Sequence, residues 1–292
     1  MTEIIYLNDK LVPRARARIS VFDWGFLYGY GLFETMRAYR GEIFLLERHL
    51  KRLMDSAQVI GLGPALVGID LGKACYDTLM ANNLDEARLR LTVSGGETDA
   101  FPWVGGGGTP TVVVTARPYT PFPAEKYEQG FRVGIASLRR PRHSPVSRLK
   151  STSYLTSVLA RMEAAAHGLD EALLLNEDGC IAEGGGCNVF FVRKSGLVAP
   201  SLDSGILPGI TRGVVMELAK ALGIGVREGD LRLSDLGHFD EAFVTNAIIG
   251  LMPLVAVKGE KGQDIVIGDG RPGKITKSLM AAYKEMVERE TG

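Results

Sequence analysis

Residues 181–191 read IAEGGGCNVFF: a carboxylate behind two apolar residues, three glycines, a cysteine, an asparagine, then a β-branched and aromatic run. The flanking apolar runs are strand-like, so the glycines mark a turn between two buried strands. The plain reading of Glu183 is a solvated turn residue. The other reading is a ligand site, because glycine lets the main chain come close to a flat group where a side chain would collide. The rest of the chain decides between them.

Upstream of this turn lie DEALLLNEDGC, which reads as a strand and a turn at Asp178-Gly179, and the helix-like YLTSVLARMEAAAHG ending at Gly168. Before them come a strand, FRVGIASL, and a basic loop, RRPRHSPVSRLKSTS. Downstream, a helix follows LPGITR, a β segment covers DEAFVTNAIIGLMPLVAVKG, and an amphipathic helix starts near Gly273. Farther out, IIYLNDKLVP gives two strands turned at Asn8-Asp9. GLFETMRAYRGEIFLLERHLKRLMDSAQVIGL gives a strand, a turn at Arg40-Gly41, a strand, and a helix with Leu50, Leu53, Met54 and Ala57 at helical spacing. A second helix is expected over 69–82, followed by strands in ARLRLTVSGG and TPTVVVTARP. The stretch between those strands, 95–110, holds four consecutive glycines and reads either as a lid carrying Phe101 and Trp103 or as a long hairpin tip. Pro118, Pro121 and Pro123 stiffen RPYTPFPAEKY into a connector. The expected division is an N-terminal α+β domain over 1–116, a linker over 117–125, and a C-terminal α+β domain over 126–292 that carries Lys150.

Thirty-four basic residues balance 34 acidic ones, so nothing draws this chain to nucleic acid or an anionic membrane; a small-molecule partner is expected. Hydrophobic residues make up 46%, enough for a sizeable core. Cys75, Cys180 and Cys187 are odd in number and lack metal spacing, and no other metal constellation stands out. No basic-then-apolar leader pattern and no membrane-length apolar run are visible, so the expected setting is cytosolic.

Lys150, in SRLKSTSYL, is on the plain reading a solvated lysine. A partly desolvated lysine also loses its proton more easily and condenses with an aldehyde as a Schiff base. Glu183 gains a role if that aldehyde is pyridoxal phosphate, whose ring works as an electron sink while a carboxylate keeps its nitrogen protonated. Gly209 stands just before a helix expected to start near Thr211, where free N–H groups and a hydroxyl suit a phosphate; an ordinary helix cap is the alternative. Arg52, in ERHLKRL, is either a phosphate clamp or part of a solvated helix face.

Taken in order, FETMRAY, ERHLKRL, RLKSTSYL, GCIAEGGGCNVFFV, SGILPGITR and TNAIIGLMP resemble the class IV pyridoxal-phosphate aminotransferases, over about residues 5–283. That family includes branched-chain and D-amino acid aminotransferases, R-selective amine transaminases and aminodeoxychorismate lyases. LPGITR combined with EGxxxN at this separation is fairly specific for it. The resemblance implies an α+β, two-domain fold type IV enzyme (D-amino acid aminotransferase-like), with pyridoxal 5′-phosphate in a cleft and a homodimer. Residue by residue, it makes Lys150 the Schiff-base lysine and Glu183 the partner of the pyridine nitrogen. Arg52, Ile210 and Thr211 become phosphate ligands. Tyr154 resembles the tyrosine on the cofactor's phenolic oxygen, although the spacing from Lys150 is one residue short. Cys187, beside Glu183, is expected to be a buried thiol rather than a nucleophile.

The substrate signals are mixed. YGYGLFETMR keeps Tyr28, Phe33, Glu34 and Arg37 of the branched-chain pattern but has Thr35 in place of glycine. Arg90 matches a substrate-side arginine, whereas Arg88 replaces a tyrosine. The Arg-x-His carboxylate trap of the D-amino acid enzymes is missing. Ala247 replaces a phosphate-binding threonine, and TNA followed by a Met-Pro pair is similar to aminodeoxychorismate lyases. The primary expectation is a transaminase moving the amino group of a branched-chain or other hydrophobic L-amino acid to 2-oxoglutarate, with Tyr28, Arg37 and Arg90 contacting substrate. The alternatives are 4-amino-4-deoxychorismate lyase, a D-amino acid or R-amine transaminase, and a non-enzymatic binding protein with a vestigial site.

Overall fold

A computed structural model of the chain describes residues 2–98, 108–259 and 262–292. It divides into two compact units, one of Met1–Thr120, Leu149–Ser153 and Arg289–Gly292, the other of Pro121–Arg148 and Tyr154–Glu288. Most of the 95–110 stretch, including Phe101 and Trp103, lies outside the described residues.

In the first unit, β1 (Ile4–Leu7) and β2 (Lys10–Pro13) form a hairpin whose turn residues Asn8 and Asp9 both have positive φ, as a tight two-residue turn requires. A short helix, α1 (Trp24–Tyr28), precedes β3 (Gly31–Tyr39) and β4 (Glu42–Ile43). Then come α2 (Leu46–Val59), α3 (Gly63–Leu66), α4 (Leu71–Ala81), β5 (Ala87–Ser94) and β6 (Thr111–Pro118). The six strands make an antiparallel sheet in the order β2-β1-β6-β5-β3-β4. Alternation decides which face is buried against α2 and α4: Leu32, Met36 and Ala38 of β3 and Ala87, Leu89, Leu91 and Val93 of β5 meet Leu53 and Ala57 of α2. Each such leucine contributes on the order of 2 kcal/mol through the apolar surface it removes from water.

The second unit begins with α5 (Ala124–Gln129), an unexpected helix whose first two residues lie in the stretch expected to be linker, which leaves only Tyr119–Pro123 between it and β6. There follow β7 (Phe131–Arg140), α6 (Leu155–Ala166), β8 (Glu171–Asn176), β9 (Ile181–Gly184), β10 (Asn188–Arg193) and β11 (Gly196–Pro200). The chain continues through α7 (Ile210–Ala221), β12 (Val226–Gly229), β13 (Glu241–Asn246), β14 (Gly250–Lys258), β15 (Asp264–Val266) and α8 (Lys274–Glu290). The mixed sheet runs β12-β11-β10-β13-β14-β7-β8-β9, with β15 also on β14. Strands β8, β10 and β14 are buried along nearly their whole length and carry continuous apolar runs between polar ends, as strands covered on both faces do.

The division differs from the sequence reading in one respect that matters. Lys150 was expected in the C-terminal domain, yet Leu149–Ser153 belongs to the first unit, while the chain on both sides of it belongs to the second.

Candidate active site

The reason Lys150 sits in the first unit is backbone pairing. Residues 150–152 run antiparallel to the start of β3, with an isolated bridge between Leu32 and Ser151. Phe33 N–H donates to the Lys150 carbonyl at 2.8 Å, and Thr152 N–H donates to Gly31 O at 2.9 Å. The hydroxyls that flank the lysine in sequence serve the same end. Thr152 Oγ1 and Ser153 Oγ both donate to Gly29 O, at 2.7 and 3.2 Å. Gly29 caps α1 with φ of 65°, a conformation that favours glycine. Lys150 is therefore fixed by its main chain, and its side chain pairs with Phe33 on the face of β3 that α2 does not cover.

That second face is ordered in rungs. Phe33 stands opposite Thr92, Thr35 opposite Arg90, and Arg37 opposite Arg88. Lys150 Nζ lies 4.5 Å from the centroid of the Phe33 ring, and the Arg90 guanidinium carbon lies 3.7 Å from it. Arg37 is held farther along, over the rings of Tyr39 at 4.2 Å and Tyr119 at 4.7 Å, with Glu86 at 3.5 Å. Three of the expected residues, Lys150, Arg90 and Arg37, thus share one surface. Tyr28, at the end of α1, is exposed and packs edge-on against Trp24.

Arg52 stands on the other, helix-covered face, and it is not a solvated helix residue. Its side chain is only 11% exposed and grips Glu34 with two hydrogen bonds, Nε to Oε1 at 2.8 Å and Nη2 to Oε2 at 2.6 Å. His49 Nδ1 completes the group at 2.7 Å from Glu34 Oε2. Burial alone would push the Glu34 carboxyl up; the Arg52 charge and the hydrogen bonds of His49 and Arg52 outweigh it and hold the group at about 2. Burial moves the His49 imidazole the other way, below its ordinary value, with Glu34 partly opposing. A carboxylate only accepts, so Nδ1 of His49 carries the hydrogen.

In the second unit, β9 brings Glu183 opposite Leu174 of β8. Three donors surround the buried Glu183 carboxylate. Arg140 Nη2 lies 2.9 Å from Oε1, Leu207 N–H donates to Oε2 at 2.9 Å, and Asn188 Nδ2 donates to Oε2 at 3.2 Å. Arg140 is itself anchored on the carbonyls of Gly205 and Ser147. Such a donor set favours the ionised form, which is the form a pyridinium partner needs. The glycines after Glu183 have a local reason. A Cβ on Gly184 would come within 2.4 Å of Cys187 Sγ, and one on Gly185 within 2.6 Å of Arg161 Cγ and 2.9 Å of Glu171 Oε1. The turn is bare because its own neighbours fill the space, not only to admit a ring. Burial pushes the Cys187 thiol well up, with Glu171 and Glu183 adding to the effect, so it stays protonated and is no nucleophile.

Ile210 and Thr211 open α7, whose N-cap Gly209 offers no side chain. A Cβ on Gly209 would meet Asn188 Oδ1 at 2.0 Å, so the helix start is pressed against the residue that holds Glu183. Tyr154 caps α6, and its hydroxyl donates to Gly185 O at 3.2 Å, on the same turn. Across from Asn188 in register, Thr245 carries a buried hydroxyl with no hydrogen-bond partner among the described residues. Within the second unit, a buried carboxylate among donors, an uncapped helix start and an unmet hydroxyl suit the ring nitrogen and phosphate of a phosphorylated pyridine; within the first, Lys150 is an amine on a fixed backbone that suits an aldehyde.

The class IV amino-transferase family profile matches residues 31–257. The chain belongs to the class IV aminotransferases. This aminotransferase is 40% identical over 286 residues, 97% of its length and 96% of the relative's, to a putative branched-chain-amino-acid aminotransferase of Methanocaldococcus jannaschii. It superposes on the crystal structure of the Escherichia coli branched-chain amino acid aminotransferase with a TM-score of 0.89 and 31% identity, covering 100% of this chain and 97% of that one. Against the T.th. branched-chain amino acid aminotransferase complexed with N-(5′-phosphopyridoxyl)-L-glutamate the TM-score is 0.87, at 31% identity, covering 99% and 95%. The fold is therefore the expected α+β fold type IV, the cofactor is pyridoxal 5′-phosphate, and the enzyme is a transaminase. Among the described residues no helix is long and apolar enough to cross a membrane.

The sequence reading gave no role to several residues of the aminotransferase: Glu34 and Asn188, which it met only as parts of family patterns, His49, Phe33 as a shared ring, Arg140 and the Leu207 N–H. Glu34 had left a signal. In GLFETMRAY it occupies the apolar phase of a strict alternation, and a carboxylate there must have a buried partner. Arg140 left none, because it lies 43 positions from Glu183, at the end of β7 in an arginine-rich run of sequence.

Proposed function

We propose that this transaminase moves the amino group of branched-chain or other hydrophobic L-amino acids to 2-oxoglutarate. The observation that carries the reading is the pair of cations over one apolar ring. Lys150 Nζ and the Arg90 guanidinium both lie over Phe33, and so are no more than about 8 Å apart. That spacing lets Arg90 take the distal carboxylate of a five-carbon 2-oxo diacid whose keto carbon is at Lys150. A branched aliphatic side chain in the same place meets the Phe33 ring instead. The names of the relatives support the same substrate class.

Pyridoxal phosphate, when bound, supplies an electron sink for the bond to be broken at Cα. Lys150 would hold its aldehyde carbon and, with its amine free, would be the base and acid for the proton at the substrate Cα. Glu183, held ionised by Arg140, Asn188 and Leu207, keeps the proton on the pyridine nitrogen. Tyr154 acts as donor to the phenolic oxygen. Ile210, Thr211 and Arg52 take the phosphate, Arg52 in the pose that Glu34 dictates. Tyr28 and Arg37 join Arg90 in contacting substrate.

The enzyme works as a homodimer in the cytosol. The dimer is supported by apolar side chains left exposed in runs, Phe22, Phe26 and Leu27 around α1 and Leu155, Val158, Leu159 and Met162 along one side of α6. The cytosolic setting is supported by three cysteines that are all buried and free.

The first test is the visible absorbance of the purified enzyme, titrated with single amino acids and no acceptor. L-Leucine bleaches the cofactor band and D-alanine leaves it; a band unmoved by any hydrophobic L-amino acid would overturn the substrate assignment. Lys150→Ala lowers turnover by at least about 10³-fold and shifts the cofactor band. A variant with normal turnover would remove Lys150 from the mechanism.

A further inference from the structure

We infer that the second face of the first unit's sheet carries a carboxylate subsite centred on Arg88, which extends the acceptors to 2-oxo dicarboxylic acids one or two methylenes longer than 2-oxoglutarate. The inference rests on the proposed roles of Lys150 and Arg90. It begins with register. Arg88 stands opposite Arg37 on β3 and opposite Arg117 on β6, so three arginines fill one rung across three adjacent strands. Like charges placed directly opposite on a sheet repel, and a strand gains nothing from such a row unless an anion joins it. The outer two arginines already have carboxylates: Glu86 lies 3.5 Å from Arg37, and Glu3 lies 2.9 Å from Arg117. The central one does not. Arg88 is exposed and forms no ion pair or hydrogen bond through its side chain among the described residues.

Position relates this rung to the chemistry. Phe33 with Lys150, then Arg90, then Arg88 follow one another along the same face, each rung about 7 Å from the last. Positive charge therefore continues beyond Arg90 in the direction that a lengthening substrate chain takes from Lys150. Each added methylene carries a terminal carboxylate about 1.3 Å farther along, out of Arg90's best reach and toward the long, mobile Arg88 side chain. Arg37, clamped between Tyr39 and Tyr119, forms a rigid wall beside it. The guanidinium fork matches a carboxylate with two parallel hydrogen bonds, which makes a terminal carboxylate the group best suited to this place.

The experiment compares the holoenzyme and its Arg88→Gln variant, each loaded with amino groups from L-leucine, on 2-oxoglutarate, 2-oxoadipate and 2-oxopimelate. Calorimetric titration with the unreactive diacids adipate and pimelate runs alongside. The wild-type enzyme uses the six- and seven-carbon acids within about tenfold of 2-oxoglutarate. In Arg88→Gln the ratio of kcat/KM for 2-oxoadipate to that for 2-oxoglutarate falls about tenfold, and adipate binds correspondingly more weakly. An unchanged ratio with unchanged adipate binding overturns the subsite. A wild-type enzyme that refuses L-leucine or 2-oxoglutarate overturns the Lys150–Arg90 reading instead, and the adipate titration then decides the Arg88 subsite by itself.

Discussion

Glu34 puts a full carboxylate at 0% exposure inside an apolar face, where an unpaired charge could not survive. Arg52 and His49 are what make it tolerable, and the arrangement has a pH signature. The Glu34 carboxyl falls from 4.5 to about 2 on folding. Its contribution, roughly 3 kcal/mol, is fully present above pH 4.5 and is lost as the pH falls through about 2. Glu34→Gln removes that contribution: the variant melts lower at pH 7, by an amount corresponding to about 3 kcal/mol, and the gap from wild type closes between about pH 5 and pH 2. Thermal melts of the two proteins over that range check it. A gap that stays constant down to pH 2 would mean that the carboxylate is not stabilised by its partners.

At the scale of an element, the start of α7 and the turn after β9 work as one piece. Gly209 leaves room for Asn188, Asn188 donates to both Glu183 and the Leu207 carbonyl, and Leu207 N–H returns a bond to Glu183. Gly209→Ala pushes a methyl into Asn188 and so acts on a carboxylate it never touches. The expected cost is about 1–3 kcal/mol in stability, with cofactor lost at least about tenfold faster in dialysis. Wild-type melting and retention would show that the helix start and Glu183 are independent. This coupling also marks the limit of what could be read beforehand. The helix, its glycine and the acidic turn were each visible in LPGITR and IAEGGG, since their signals are local. That Asn188 joins them is a matter of packing between β10 and the loop before α7, which no spacing in the sequence encodes. Lys150 was assigned its chemistry from residue type and resemblance, but not its unit, because the pairing that fixes it joins residues more than a hundred positions apart.

At the scale of the whole molecule, the outward apolar side of α6 is the feature that a lone chain does not explain. Leu155 is 67% exposed and Met162 62%, at helical spacing on one stripe. The proposed homodimer predicts that the wild-type protein sediments at twice the 31.6 kDa chain mass and that Leu155→Glu combined with Met162→Glu returns it to one. A wild-type chain that sediments as a monomer would sink the homodimer. Strand and helix alternation in the sequence reads as two α+β domains, with the proline-rich connector over 117–125; the structure has strand to Pro118 and helix from Ala124, so the irregular part is shorter. The missed helix α5 has only six residues and no side-chain cap, so it leaves almost no periodic signal.

The excursion of Leu149–Ser153 into the first unit means that the chain passes between units at residues 120–121, 148–149, 153–154 and 288–289. A cut in the connector does not yield two self-sufficient halves. The N-terminal fragment keeps the β3 edge but loses the lysine that pairs with it, and the C-terminal fragment keeps the lysine but loses the strand that aims it. Genetic dissection of this enzyme into modules, or exchange of one half for a relative's, has to respect that stitch: five residues travel with the partner they lean on, not with their neighbours in sequence.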